Sequence, residues 1–293
     1  MAEGRIIKAL SGFYYVQSDN TTYQCKGRGV FRKNKITPLV GDFVTFDLDE
    51  NDEGYIKDIK PRTSELVRPP IANIDQAIIV SSAKKPNFST TLLDRFLVLI
   101  EAKDIDPIIV ITKIDLLADE EVDKLKQYQK DYEEIGYTVK LVSNKRGPEL
   151  ELIKPLFKDK VSVIAGQSGV GKSSLLNALN PSLLLETGAI SKSLGRGKHT
   201  TRHVELIEVN EGLVADTPGF SALEFDEIEL EHLPLCFPEM RARINDCKFR
   251  GCMHIKEPKC AVKAAVESGD ITSYRYEHYV NFVEEIQSRK PRY

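Results

Sequence analysis

Nowhere in its 293 residues does this sequence hold an apolar run approaching the roughly 18 residues of a membrane span. Its start, Met1-Ala-Glu-Gly-Arg-Ile-Ile-Lys, also lacks the hydrophobic stretch of a secretory signal. No membrane partner is therefore expected, and cytoplasmic residence is. Charge of one sign is not in excess, since 41 Lys and Arg against 44 Asp and Glu leave a net charge of −3. Bulk attraction to a polyanion is excluded, so any nucleic-acid contact must come from local patches. Cysteine is scarce and odd in number, 5 in all, with four of them in the last sixty residues. That clustering argues for a metal site rather than a disulfide framework. Internal repeats and low-complexity segments are missing as well.

What remains is an ordinary globular composition, 41% hydrophobic and 29% charged, in a chain long enough for two or three domains. Residues 4–60 hold short β-rich runs separated by Gly, Asn and Asp, which predicts a small barrel. An OB-fold is the best match, and an SH3-like barrel has a similar strand count. The segment 61–70, with three prolines and mixed charges, reads as a linker. From Ile71 apolar strand cores alternate with helical segments, among them a helix whose Leu93, Phe96, Leu97 and Ile100 share one face and another closed by Gly136. This alternation predicts a mostly parallel sheet covered on both faces. After about Ile228 the strands stop and a Cys-rich helical tail begins. The expected architecture is a multi-domain α/β protein: a barrel over 1–68, an α/β domain over 69–228 and a metal-binding helical domain over 229–293.

The segment Gly166-Gln167-Ser168-Gly169-Val170-Gly171-Lys172-Ser173 fits G-x-x-x-x-G-K-[ST] and lies between an apolar strand and a helix. Glycines let the backbone curl so that successive N–H groups point at phosphate oxygens, and the helix N-terminus adds its dipole. Lys172 is expected to reach the β- and γ-phosphates and Ser173 to offer its hydroxyl to Mg²⁺. Ser174, next in the chain, joins the nucleotide-contacting set. The motif alone does not choose between ATP and GTP.

That choice falls to Thr112-Lys113-Ile114-Asp115, after an apolar strand and ahead of the phosphate loop in the chain. The usual form is Asn-Lys-x-Asp, in which the carboxylate accepts hydrogen bonds from guanine N1–H and the exocyclic amine while the Lys stem lies over the base. Adenine lacks that donor pair and would leave the carboxylate unpaired. Thr112 keeps a hydroxyl but loses an amide that could brace the loop. By itself Lys-x-Asp fits a solvated loop better than a base site, and the neighbouring phosphate loop reverses that balance. Ser143-Asn144-Lys145 resembles the loop that touches the guanine oxygen, and an unrelated turn fits those three residues as well.

Asp216-Thr217-Pro218-Gly219 matches D-x-x-G, with Asp216 expected to hold Mg²⁺ through water and the Gly219 N–H to sense the γ-phosphate. Between the two phosphate motifs lies the basic segment 195–202, of the kind that orders around γ-phosphate and Mg²⁺, in which Thr200 or Thr201 is the expected metal-sensing hydroxyl. Phe220 follows Gly219, where Ras-like proteins carry the glutamine that orients water. An apolar ring cannot do this, so slow unaided turnover is expected. His199 is the candidate for positioning water, and a phosphate-contacting or solvated loop residue is the competing reading. The order of motifs places the D-x-x-G segment directly ahead of the C-terminal domain, so a nucleotide-dependent shift after Gly219 is expected to reposition that domain.

Cys247, Cys252, His254 and Cys260 offer three thiolates and an imidazole within fourteen residues, a set that suits a closed, structural Zn²⁺ site. Cys25 and Cys236 stand outside it as small apolar residues.

Assembled, these features resemble the ribosome small-subunit-dependent GTPase A family (RsgA/YjeQ type), on the permuted motif order together with C-x₄-C-x-H-x₅-C. The resemblance implies an N-terminal OB-fold, a circularly permuted P-loop GTPase domain and a C-terminal zinc domain. It implies GTP and GDP as ligands, Mg²⁺, one zinc ion, and Mg²⁺-dependent hydrolysis stimulated by the small (30S) ribosomal subunit in its late maturation. The implied partners are that subunit and its 16S rRNA, with the protein itself a monomer. Lys26, Arg28, Arg32, Lys33 and Lys35, within ten residues free of acids, agree with an RNA partner or with a solvated basic loop. Tyr274, Arg275, Tyr276, Tyr279 and Arg292 fit either RNA contact or a packing helix. A non-catalytic assembly factor using GTP only as a conformational ligand, and an ATP-dependent enzyme, are the competing classes.

Overall fold

A computed structural model of the chain describes residues 1–27, 31, 36–49, 53–67, 69–143, 147–183, 204–216 and 223–289. Five strands open it: β1 (Ala2–Leu10), β2 (Phe13–Ser18), β3 (Thr21–Gly27), β4 (Phe43–Leu48) and β5 (Gly54–Ile59). Ser11 and Gly12, at φ 52° and 85°, make the two-residue turn that joins β1 to β2, a conformation whose twist suits a hairpin. Alternate side chains point inward, so Ile6, Val16, Cys25, Val44, Phe46 and Ile56 are all fully buried. The strands close in the order β1-β2-β3-β5-β4, with β4 returning to β1 and β3 running parallel to β5. This is the strand order of an OB-fold, and it separates the two barrels that strand count leaves open.

The stretch after the barrel is not the plain linker its prolines suggest. β6 (Glu65–Leu66) pairs with β7 (Ile71–Ala72), burying Leu66 and Ile71. The charges there are used: Arg62 holds both oxygens of fully buried Asp42 at 2.8 Å and also meets Glu65 and the Thr37 carbonyl.

The second sheet runs β10 (Thr138–Leu141), β9 (Asp106–Thr112), β8 (Gln76–Ser82), β11 (Val161–Ala165) and β13 (Gly212–Asp216), all parallel, with β12 (Glu205–Val209) antiparallel beyond β13. The far end of β1 pairs with β12 at Lys8 and Glu205, so the barrel and this sheet are continuous. Every residue of β11 is buried, as expected of a strand covered on both faces. On one face Ala77, Ile79, Ile109 and Ile111 meet Leu93, Phe96, Leu97 and Ile100 of α1 (Thr90–Glu101) and Tyr132 of α2 (Asp119–Ile135). On the other, Ile78, Val80, Ile108 and Val110 meet Leu175, Leu176 and Leu179 of α3 (Lys172–Leu179). Ser89 caps α1 by accepting from Leu92 N, and Gly136 ends α2 at φ 112°.

The C-terminal helices α4 (Ala261–Ser268) and α5 (Ser273–Gln287) surround a core of Phe225, Leu233, Phe237, Met240, Tyr279 and Phe282 that packs on Val98 and Leu99 of α1. Beneath it lies an ion network. Arg275, fully buried, donates to Asp94 at 2.6 Å and to both oxygens of Glu239 at 2.8 and 3.0 Å, while Asp94 also takes Tyr132 and His278. Removing one member of such a network costs about 3–5 kcal/mol, because its partner stays charged and dry. Tyr274, Tyr276 and Tyr279 therefore serve packing: Tyr274 stacks near Tyr128 and Tyr132, and the other two hydrogen-bond the metal-site turn. Arg292 lies outside the described residues. None of the described helices is long and apolar enough to cross a membrane.

Candidate nucleotide site and metal centre

Parallel strands bring their carboxyl ends to one edge, where two motifs meet and the strand ending at Asp216 also arrives. β11 leads into the phosphate loop, β9 into the Thr112–Asp115 motif two strands away, and β13 ends at Asp216 beside β11. In the phosphate loop Gly166, Gly169 and Gly171 have φ of 135°, 80° and 103°. A Cβ at Gly166 would sit 2.2 Å from the Val80 carbonyl, so position and conformation both demand glycine. Gly171 delivers the chain into α3, whose first residues are Lys172, Ser173 and Ser174. Lys172 is buried, which lowers its pKa, and its ammonium bonds the carbonyls of Gly166 and Gln167 at 2.7 Å each. Gln167 and Ser168 are exposed around the loop, and Val170 is buried beneath it.

The base motif is fastened to this loop from two sides. Thr112, fully buried, donates its hydroxyl to the Val170 carbonyl, with the Ser81 carbonyl 3.2 Å away. Lys113, in the left-handed region at φ 60°, reaches the Gly169 carbonyl at 2.6 Å and the Lys85 carbonyl. The bracing thought lost with the asparagine is thus supplied by the threonine hydroxyl. Ser143 donates to Asp115 Oδ1 at 3.1 Å and so fixes the carboxylate's orientation. Thr112→Val keeps the shape and removes the donor, leaving a buried carbonyl unsatisfied at about 1–3 kcal/mol. GDP affinity measured by calorimetry is expected to fall about tenfold, with Thr112→Ser retaining it; equal affinity for the valine variant would remove the bracing role.

Asn144, Lys145, His199, Thr200, Thr201, Gly219 and Phe220 lie outside the described residues, as do Arg28, Arg32, Lys33 and Lys35 of the basic loop. Lys26, the described cation of that group, lies in β3 rather than in a loop and is paired with Glu53 at 2.6 Å.

Cys247, Cys252, His254 and Cys260 converge so that their ligand atoms all lie within 4.8 Å of one another. His254 Nδ1 is 3.2 Å from Cys260 Sγ and 3.6 Å from Cys247 Sγ, and the two sulfurs are 3.9 Å apart. A tetrahedral zinc with bonds of about 2.0–2.3 Å needs ligand separations in this range. Burial keeps the imidazole pKa low, as a neutral ligand requires, and pushes the Cys252 thiol up to about 12, so the sulfur becomes a thiolate only against a cation. Four protein donors would leave no open position on a tetrahedral ion, the arrangement of a structural site rather than a catalytic one. Sequence reasoning missed Glu257, whose carboxylate gathers the N–H groups of Met253, Ile255 and Lys256 at 3.0 Å and shapes the turn. Cys25 and Cys236 are buried elsewhere, their thiols raised by burial to about 11 and about 12.

Residues 59–226 match the RsgA GTPase family and residues 3–56 the RsgA N-terminal domain. The small ribosomal subunit biogenesis GTPase RsgA 2 of Oceanobacillus iheyensis is 68% identical, with all of both chains covered, and the RsgA of Bacillus subtilis is 61% identical over the full length of both. Among solved structures, YloQ, a circularly permuted GTPase, aligns with a TM-score of 0.87 at 57% identity, covering 100% of this chain and 97% of that one. YjeQ from Thermotoga maritima aligns with a TM-score of 0.88 at 36% identity, covering 99% of each.

Proposed function

The chain belongs to the RsgA GTPase family, and on that footing we propose that it hydrolyses GTP on the small ribosomal subunit. There it acts in late maturation, with hydrolysis stimulated by the particle and coupled to release. The observation that carries the chemistry is the direct fastening of a guanine-type Lys-x-Asp motif to the phosphate loop through Thr112 and Lys113. The partner is carried by full-length similarity to proteins named for small-subunit biogenesis.

In this reading the N–H groups of Gly166–Gly171 cradle the phosphates, Lys172 leaves its loop carbonyls for the β- and γ-oxygens, and Ser174 completes the nucleotide contacts. Asp115 pairs guanine, steadied by Ser143. Ser173, Asp216 and Thr201 hold Mg²⁺, which when bound neutralises charge on the phosphates. Gly219 senses the γ-phosphate, Thr200 lies alongside Thr201, and His199 positions water in place of the residue that Phe220 replaces. Cys247, Cys252, His254 and Cys260 bind one structural zinc. The barrel (1–68) and the C-terminal domain (229–293) flank the GTPase domain (69–228) and engage 16S rRNA, the protein acting as a cytoplasmic monomer.

Co-sedimentation with purified subunits tests this reading. The protein is expected to pellet with small and not large subunits, and to bind at least about fivefold more tightly with a non-hydrolysable GTP analogue than with GDP. Equal affinity in the two states, or preference for the large subunit, would contradict it.

A further inference from the structure

Leu223 lies four residues beyond Gly219 in the chain. Its carbonyl accepts a hydrogen bond from Arg95 Nη1 of α1 at 3.0 Å. The same nitrogen meets Glu285 Oε1 of α5 at 2.8 Å, and Nη2 holds Glu285 Oε2. The guanidinium also packs against two aromatic rings that touch each other, its Cζ 4.5 Å from the centroid of Phe225 and 5.0 Å from that of Phe282. One side chain therefore grips two segments at once: Leu223 and Phe225, which follow the D-x-x-G motif, and Phe282 and Glu285 of the C-terminal helix. The Arg95 guanidinium, through its hydrogen bonds, holds the Glu285 carboxyl below its usual range.

Neighbouring contacts define what this grip can do. Asp94, the preceding residue, anchors α5 through Arg275 and His278, with Asp94 and Arg275 fully buried and the His278 side chain only 10% exposed. Arg95 is different: its side chain is 21% exposed and Glu285 41%, so their contact can rearrange while the Asp94 network stays closed. Further along α1, Lys103 pairs with Glu227, giving the segment after Leu223 a second tie to the same helix. α5 is thus held by a fixed pivot near its start and an adjustable clasp near its end.

In GTPases the segment after D-x-x-G changes position with the γ-phosphate. Displacing the Leu223 carbonyl withdraws one acceptor from a guanidinium whose other acceptor is Glu285. We propose that Arg95 is a positioning residue that passes the nucleotide state from the Asp216–Gly219 motif to the C-terminal helix through its shared bonds to Leu223 and Glu285. This needs nucleotide binding only and stands apart from the identity of the ribosomal partner.

Amide hydrogen exchange of the full-length, metal-loaded protein tests it, comparing Mg²⁺·GDP with a Mg²⁺-bound non-hydrolysable GTP analogue. In the parent, exchange over 280–287 is expected to differ at least about fivefold between the two states. In Arg95→Ala and in Glu285→Gln that difference is expected to shrink below about twofold, while GDP affinity is kept. A parent helix that exchanges alike in both states overturns the proposal. So does a variant whose exchange rises equally in both, since that marks a brace with no part in transmission. Should Arg95→Ala fail to fold, Glu285→Gln, which leaves the Arg95–Leu223 bond in place, decides alone.

Discussion

Replacing Asp115 by Asn is expected to weaken GTP binding by about 10²–10⁴-fold and to shift preference toward xanthosine triphosphate. Guanine offers two donors, N1–H and the exocyclic amine, and a carboxylate accepts both. Hydrogen bonds to a charged group contribute roughly 1.5–3 kcal/mol each, so the pair accounts for about 3–6 kcal/mol. An Asn amide presents one acceptor and one donor, and its NH₂ would face the guanine amine. Xanthine carries a carbonyl at that position and restores the match. Ser143 can still donate to the Asn carbonyl oxygen, as it does to Asp115 Oδ1 now at 3.1 Å, so the loop keeps its orientation. Calorimetric titration with guanosine and xanthosine diphosphates checks this; an unchanged preference for guanine would move base recognition away from Asp115.

Removing the metal from the Cys₃His centre is expected to collapse the C-terminal domain. Apparent zinc affinities in small Cys/His domains amount to about 10–16 kcal/mol, as much as the whole stability of a typical domain. Beyond the Glu257 carboxylate and the Tyr276 and Tyr279 hydroxyls, the turns over 247–260 have no strand or helix to hold them: His254 and Lys259 sit at φ 59° and 56°, and Phe249 is left exposed. Without the ion, three thiols and an imidazole packed within 4.8 Å lose what holds them together. Lys248, Arg250, Lys256 and Lys259, all exposed, then become tryptic sites. Chelation, or Cys252→Ser, is expected to raise cleavage in this segment by about 10²-fold or more, with release of one zinc equivalent by elemental analysis. Unchanged digestion after complete metal removal would show that the helices hold the domain without it.

Legibility in the sequence followed the distance over which a feature is built. The phosphate-loop pattern and the Cys/His spacing occupy short windows, and the structure shows the matching local geometry: left-handed glycines leading into α3, and four ligand atoms within 4.8 Å of one another. The face of α1 formed by Leu93, Phe96, Leu97 and Ile100 also came through, because a 3.6-residue period is local. The OB-type barrel, the best match on strand count, is borne out, but what separates it from an SH3-like barrel, the parallel contact of β3 with β5, is a long-range pairing that no run of residues announces. Pro61–Pro70 misled for a related reason: its charges find Asp42 some 20 positions back. The Asp94–Arg275 bond spans 181 positions. In the sequence Arg275 is one cation among tyrosines, and only the fold makes it the buried tie between α1 and α5. In the sequence Thr112 is a departure from asparagine, and only the fold puts its hydroxyl on the Val170 carbonyl of the phosphate loop.

The central claim, a GTPase whose turnover is driven by the small subunit, is tested most directly by multiple-turnover phosphate release. With Phe220 after Gly219, the protein alone is expected to turn over slowly. Small subunits should raise the rate roughly 10²-fold, the scale of a well-placed proton-handling or water-positioning group, and His199→Ala should lose that increase. Large subunits should leave the rate unchanged. A rate with small subunits no greater than the sum of the separate rates would contradict the account.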